Sequence, residues 1–423
     1  MSAISISCFI LTGIIILSCM RRGADIFSPT RVFGLIWSIA IGLTDLKLSG
    51  LQHDWDFYAW ITLLLGVASF LVGVLVVQVS SMNRRLLSID HIRRRTKAEP
   101  LSGRNLYFII LVLSVGYIVA YAFEWAHYGV LPLFAQYPDR ARGDIAVFGV
   151  HLIVNSMPII LFLIFQYLVF VPGQGKRKVL LGCIFLLTAA SSFLLLNRLF
   201  YIFFLVMAIG TAFYSTKMVR LRNLILLVPV VIGALAYLQS FREARYAEHF
   251  FYVVSDMKYS EAYAVFTGPY MYFAMNLENF ARAVVQLEHF AFGLFSFDFL
   301  MALTGLKHWI SDYFRLREGV FLISGYNTFP FFWDYYYDFG LIGLVAMPGL
   351  LGAGIATLHK RMRESPTIQL VSLYSLAIFV MVISFFANIL ALLNFDFNLA
   401  LLLLSQVAIS RRSTKRIQAR SSS

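Results

Sequence analysis

Long apolar runs separated by short polar connections set the pattern of this chain. The stretch FYAWITLLLGVASFLVGVLVVQVS (57–80) shows no alternation. It reaches the roughly 20 residues a helix needs to cross a hydrocarbon core of about 30 Å. Barrel strands would instead give segments of about 10 residues with period-two alternation. The runs predict an all-α polytopic membrane protein with about eleven transmembrane helices, over 2–20, 30–48, 57–80, 105–124, 149–171, 179–196, 199–216, 223–240, 339–358, 367–391 and 394–410. Residues 179–216 are split because one helix, at about 1.5 Å per residue, would far outrun the core. The split puts a tight external turn at Asn197-Arg198, although no Gly or Pro marks it. The first run has no basic leader and no small-residue cleavage site, so it reads as a retained helix.

Alternate connections are basic: Arg21-Arg22, the run from Arg84 to Arg104, Lys176-Arg177-Lys178, then Lys217, Arg220 and Arg222, then Lys360, Arg361 and Arg363, and the tail at 411–423. All fall on one side if the amino terminus is outside and the carboxyl terminus is cytoplasmic, as the positive-inside rule requires. The chain then forms a single integral membrane domain (1–423) with two external segments, 125–148 and a large loop at about 241–338. A connection this long is a candidate functional element. Within it, HFAFGLFSFDFLMALTGL (289–306) is nearly apolar enough to span. Asp298 in its middle predicts a re-entrant or interfacial helix.

Composition agrees with the pattern. Hydrophobic residues make up 60% and charged residues 13%, with mean hydropathy +0.76, whereas a soluble domain is about half apolar and a quarter charged. The net charge of +13 lies in the short connections, which argues against a nucleic-acid partner. Cys8, Cys19 and Cys183 all lie in apolar runs. No metal-ligand spacing and no nucleotide-binding or hydrolase motif stands in a credible context, and no DxD pair lies near a cytoplasmic face. Neither metal nor cofactor is expected.

The candidate chemistry is external. Arg140, Arg142, Arg198, Arg242, Arg245, Arg282, Arg315 and Arg317 fall on the side where Arg is uncommon. Guanidinium groups bind phosphate bidentately and keep their charge, so such a group suits a lipid-linked diphosphate. Lipid headgroups, or neighbours such as Glu243 and Glu248, are the alternative partners. Glu278, Asp334 and Asp338 sit among aromatics that could raise a carboxyl pKa, as a general base needs. Asp338 also stands where it could cap the following helix. His249, His289 and His308 are scattered through the large loop without a spacing signature.

In order along the chain, FSPTRVFGLIW (27–37), GVLPLF with Arg140 and Arg142, LLLNRLFYIFFLV around Arg198, the Arg242/Arg245 segment, and GYNTF (325–329) with YYYDFGLIGL (335–344) resemble the bacterial oligosaccharide repeat unit polymerases, the Wzy-type family. The resemblance covers most of the chain as topology with sparse motifs. It implies a GT-C-like fold in the bacterial cytoplasmic membrane. The implied substrates are undecaprenyl-pyrophosphate-linked oligosaccharides as donor and acceptor, joined by inverting, metal-independent glycosyl transfer. Arg198, Arg242 and Arg245, and after them Arg140 and Arg142, would hold pyrophosphate. Tyr270, Tyr326, Asn327 and Thr328 would contact or orient sugars, with Asp338, Glu278 or Asp334 at the acceptor hydroxyl. Relatives often carry a small residue beside the arginine matching Arg198, where this chain has Asn197 and Leu199. A chain-length regulator, a flippase and membrane lipids are the implied partners. An O-antigen ligase, in which His289 or His308 would matter, and a lipid-linked oligosaccharide flippase are the alternatives.

Overall fold

The computed structural model describes residues 2–21, 23–82, 86–99, 101–219, 223, 233, 247–310, 323 and 325–421. Among them the chain is helical, with one isolated bridge, Ser49 to Met257, and no strand. The helices are α1 (Ala3–Cys19), α2 (Pro29–Thr44), α3 (Phe57–Val79), α4 (Ile89–Ala98), α5 (Gly103–Tyr128), α6 (Pro138–Asp144), α7 (Val150–Val154), α8 (Met157–Phe170), α9 (Gly175–Leu194) and α10 (Arg198–Ser215). After 220–246 come α11 (Ala247–Val254), α12 (Thr267–Gln286), α13 (Asp298–Thr304), α14 (Phe332–Glu364), α15 (Ile368–Ile383) and α16 (Leu393–Ser421).

Among the described residues, six helical stretches are long and apolar enough to cross a membrane: α3, α5 with its following turn, α7–α8, α9, α10 and α14. Shorter apolar helices are α1, α2, α15 and the first part of α16. These apolar helices stand where ten of the runs lie, and 223–240 falls outside the described residues apart from 223 and 233. Ile10, Ile14 and Leu17 on α1, Val72 and Val76 on α3, Val115 and Val119 on α5, Leu186 on α9 and Leu350 on α14 are exposed. Water would not tolerate so much uncovered apolar surface, whereas lipid does.

Local chemistry explains the departures from the sequence pattern. The 149–171 run breaks at Asn155-Ser156, because Pro158 near the start of α8 has no N–H to give to a continuous helix. The helix predicted from 339 starts earlier, at Phe332, and breaks at Gly340 (φ 61°, ψ −144°), a backbone state that glycine adopts readily. The 289–306 segment forms only the seven-residue α13, with Asp298 in its first turn. The turn at Asn197 is present, and Leu196 supplies the left-handed residue (φ 57°) that no glycine provides. The basic connection holds α4, capped by Ser88, with Asp90 in its first turn and Arg95 and Lys97 in its last.

Contacts sort the helix termini into two ends. At one, Arg93 donates to the Phe213 carbonyl, Arg363 to Leu87, Lys178 to Leu168 and Asn105 to Ala408. This is the basic end. At the other, Ser5 bonds Asp45, Trp37 bonds Ser384, Leu48 N–H bonds Tyr270 and Arg198 bonds Tyr272. Two aromatic-rich cores lie between, one about Phe33, Trp37, Phe70 and Phe332, the other about Tyr117, Phe162, Phe203 and Phe379.

Candidate functional site at the end opposite the basic connections

α12 organises this end. Its Tyr270 hydroxyl donates to Gln52 (2.6 Å) and accepts from Leu48 N–H (2.9 Å). Burial, against the opposing effect of those bonds, pushes the phenol up to about 12, so it stays a neutral hydroxyl. Two residues on, the Tyr272 hydroxyl accepts from Arg198 Nη2 at 2.9 Å, and the guanidinium carbon lies 5.8 Å from the Tyr272 ring centre. Arg198, at the start of α10, is thereby aimed by both a hydrogen bond and a cation–π contact. Asn276 accepts from the Thr328 hydroxyl, and Asn279 donates to the Tyr326 and Thr328 carbonyls (3.2 and 3.0 Å). The Tyr326 hydroxyl pairs with Ser255 (2.7 Å), while Asn327 is exposed. Thus Tyr270 ties α12 to the α2–α3 connection, Tyr326 and Thr328 fix the 325–329 loop onto α12, and Asn327 is the one of this group that faces outward.

Two of the three predicted carboxylates are buried and already committed. Glu278, 1% exposed, accepts from His53 N–H (3.0 Å) and Trp55 Nε1 (2.7 Å), with Arg282 Nε at 3.5 Å. Asp338, fully buried, accepts from the backbone N–H groups of Phe295 (3.1 Å) and Ser296 (2.6 Å). It therefore anchors the turn before α13 and does not cap its own helix. Asp334 is half-buried, and its carbonyl lies 3.5 Å from the Ser296 hydroxyl.

A cavity of about 220 Å³ opens between α6, α7, the α9–α10 turn, α15 and the start of α16. Arg142, His151, Asn155, Asn197, Asn394 and Asn398 supply its polar lining, and Phe200, Phe203, Phe379 and Phe395 much of its apolar wall. α10 begins at this wall without a side-chain cap from Asn197, so its first N–H groups add partial positive charge. His151 Nδ1 lies 3.1 Å from both oxygens of Glu124, which is 2% exposed. Glu124 also accepts from Val147 N–H at 3.2 Å.

Of the predicted arginines, Arg142 lines the cavity beside the α9–α10 turn, and Arg198, the first residue of α10, turns to Tyr272. Arg140 lies exposed beside Asp144 (4.0 Å). Arg242, Arg245, Arg315 and Arg317 fall outside the described residues. His249 pairs with Glu261 at 2.6 Å, and His289 and His308 are exposed. The residues not anticipated from sequence are Tyr272, Glu124, His151 and the asparagines of the cavity. Glu124 did leave a signal: it is the sole acidic residue of α5, and an ionisable side chain in an apolar span needs a partner.

No family model, curated protein or solved structure matches the chain.

Proposed function

We propose that the protein is a polymerase of lipid-diphosphate-linked oligosaccharide repeats, of the Wzy type, in the bacterial cytoplasmic membrane. In this reading the chain crosses about eleven times in a GT-C-like arrangement. The basic end is cytoplasmic, with the carboxyl terminus, and the α12 end faces outward. Donor and acceptor are undecaprenyl-pyrophosphate-linked oligosaccharides. A flippase supplying repeats and a chain-length regulator are its proposed partners.

The observation that carries the proposal is that Arg142 and the uncapped start of α10 share one cavity wall, with Arg198 the first residue of that helix and turned to Tyr272, at the end away from the basic connections. Donors fixed in advance in a water-poor site stabilise charge as it develops on a diphosphate leaving group, usually the largest catalytic contribution. Arg242 and Arg245 join them in the proposal on sequence grounds alone.

Deleting the gene and running a surface-glycan gel alongside the lipid-linked pool tests it. A single-repeat band in place of the ladder is the expected result. Loss of all surface glycan with long lipid-linked polymer would instead mean a ligase. Single repeats trapped on the inner face would mean a flippase.

A further inference from the structure

We infer that the cavity between α7, α10 and α16 is a sugar subsite, and that His151, held by Glu124, takes the proton from the acceptor hydroxyl bound there. The second half rests on the transfer reaction proposed above, and the first does not.

The lining has the chemistry of a carbohydrate site. Sugar rings present hydroxyls that donate and accept, and one apolar face. Here four asparagines, Asn155, Asn197, Asn394 and Asn398, share a cavity with Phe200 and Phe395. Asn155 and Asn398 are 1% and 0% exposed, and the Oδ1 of each accepts no hydrogen bond. Asn398 Nδ2 is already committed to the carbonyls of Asn155 (2.9 Å) and Asn394 (2.7 Å). What remains at these two amides is buried acceptor capacity, costly to leave unfilled, which hydroxyl donors in the cavity would match once the amides turn toward it. At about 220 Å³ the cavity is below the roughly 300–1,000 Å³ of pockets for drug-sized ligands, so it suits one ring rather than a whole repeat.

His151 lines the same cavity with its side chain 26% exposed. A carboxylate can only accept, so the bond to Glu124 places the proton on Nδ1 and leaves Nε2 as the basic nitrogen. Among the described residues that line the cavity, the other charged side chain is Arg142 on α6; those from α10, α15 and α16 carry none. In the step, the acceptor O–H proton passes to Nε2 while the hydroxyl oxygen bonds to the donor's anomeric carbon. The bond from that carbon to the diphosphate oxygen breaks, and the diphosphate leaves with the electron pair. Glu124 stabilises the imidazolium, which then releases its proton to water. Glu278 and Asp338 cannot easily serve, because their oxygens already hold backbone and indole N–H groups.

Two measurements separate the halves. Saturation-transfer NMR on the full chain in nanodiscs, with glucose, galactose, mannose, rhamnose and N-acetylglucosamine as probes, tests the subsite. At least one sugar should give a signal that drops about tenfold or more in Asn398→Leu. No signal from any sugar, or an undiminished one in the variant, overturns the subsite. Glycan extension in membranes of the native host, followed against pH, tests the base. His151→Gln, which keeps a donor for Glu124, should slow extension by about 10²–10⁴-fold at unchanged protein level, and the acid limb of the pH profile should vanish. Wild-type rate and profile in that variant overturn the base assignment. If wild-type membranes extend nothing, the polymerase reading falls and takes the base with it, while the NMR result still decides the subsite.

Discussion

His359 on α14 lies 2.8 Å from the Asp25 carboxylate, and both side chains are buried at the basic end. The Tyr214 hydroxyl donates to the other Asp25 oxygen at 2.5 Å, and Arg363 stands 3.9 Å away. Asp25 thus joins the α1–α2 connection to α10 and α14. Burial alone would raise its pKa. His359, by hydrogen bond and charge, then Tyr214 and Arg363, outweigh burial and hold the carboxyl below its ordinary value. A lowered folded pKa gives stability that is fully present above the unfolded value of about 3.9 and is lost as pH falls through the folded one. Thermal unfolding in detergent should therefore show a loss below about pH 4 that Asp25→Asn lacks. His359→Ala, which leaves the buried carboxylate short of its imidazole partner, should cost about 3–5 kcal/mol at neutral pH. An unchanged midpoint for His359→Ala would remove the pair from the stabilising set.

α3 and α14 run parallel and meet through glycine. A Cβ on Gly73 would lie 2.0 Å from the Gly349 carbonyl oxygen, and one on Gly352 would lie 2.2 Å from that of Phe70. Close backbone approach of this kind is how helices associate in lipid, where no hydrophobic drive favours contact. Gly73→Leu or Gly352→Leu should lower the thermal midpoint and membrane abundance, with a penalty of at least about 1–3 kcal/mol. Leu at the lipid-facing Val76 is the control and should leave both unchanged.

Asp338 is a structural anchor. Asp338→Ala would leave the Phe295 and Ser296 amides buried without an acceptor, at about 1–3 kcal/mol each, so abundance and glycan output should fall together. Asp338→Asn keeps one acceptor oxygen and should retain substantial output per molecule. Complete loss of output in the Asn variant at full abundance would restore Asp338 as a candidate base.

Tyr272 positions Arg198. Tyr272→Phe removes the 2.9 Å hydrogen bond and keeps the ring under the guanidinium. It should shorten the glycan ladder less than Tyr272→Ala, which removes both contacts. Equal ladders from the two variants would show that the arginine is held by something else.

The apolar runs and the alternation of basic connections made the helices and the two ends legible in sequence, because lipid leaves few other ways to satisfy a backbone. The α9–α10 turn was legible only by length, since Leu196 takes a left-handed state that sequence rules reserve for glycine or asparagine. The arginines were visible as charges on the wrong side. The carboxylates read as candidate bases because they stand among aromatics, and their donors come into view only in the fold. At Glu278 and Asp338 the donors come from segments far away in sequence, about His53 and Ser296. His151 escaped notice for the same reason: Glu124 lies across a connection, and only the fold brings the two to 3.1 Å.

The most direct measurement is the surface-glycan gel of a host carrying Arg142→Ala and Arg198→Ala together, with membrane abundance followed by immunoblot. At wild-type abundance, the ladder should collapse to a single repeat while lipid-linked single repeats accumulate. A normal ladder from the double variant would contradict a diphosphate site at the start of α10.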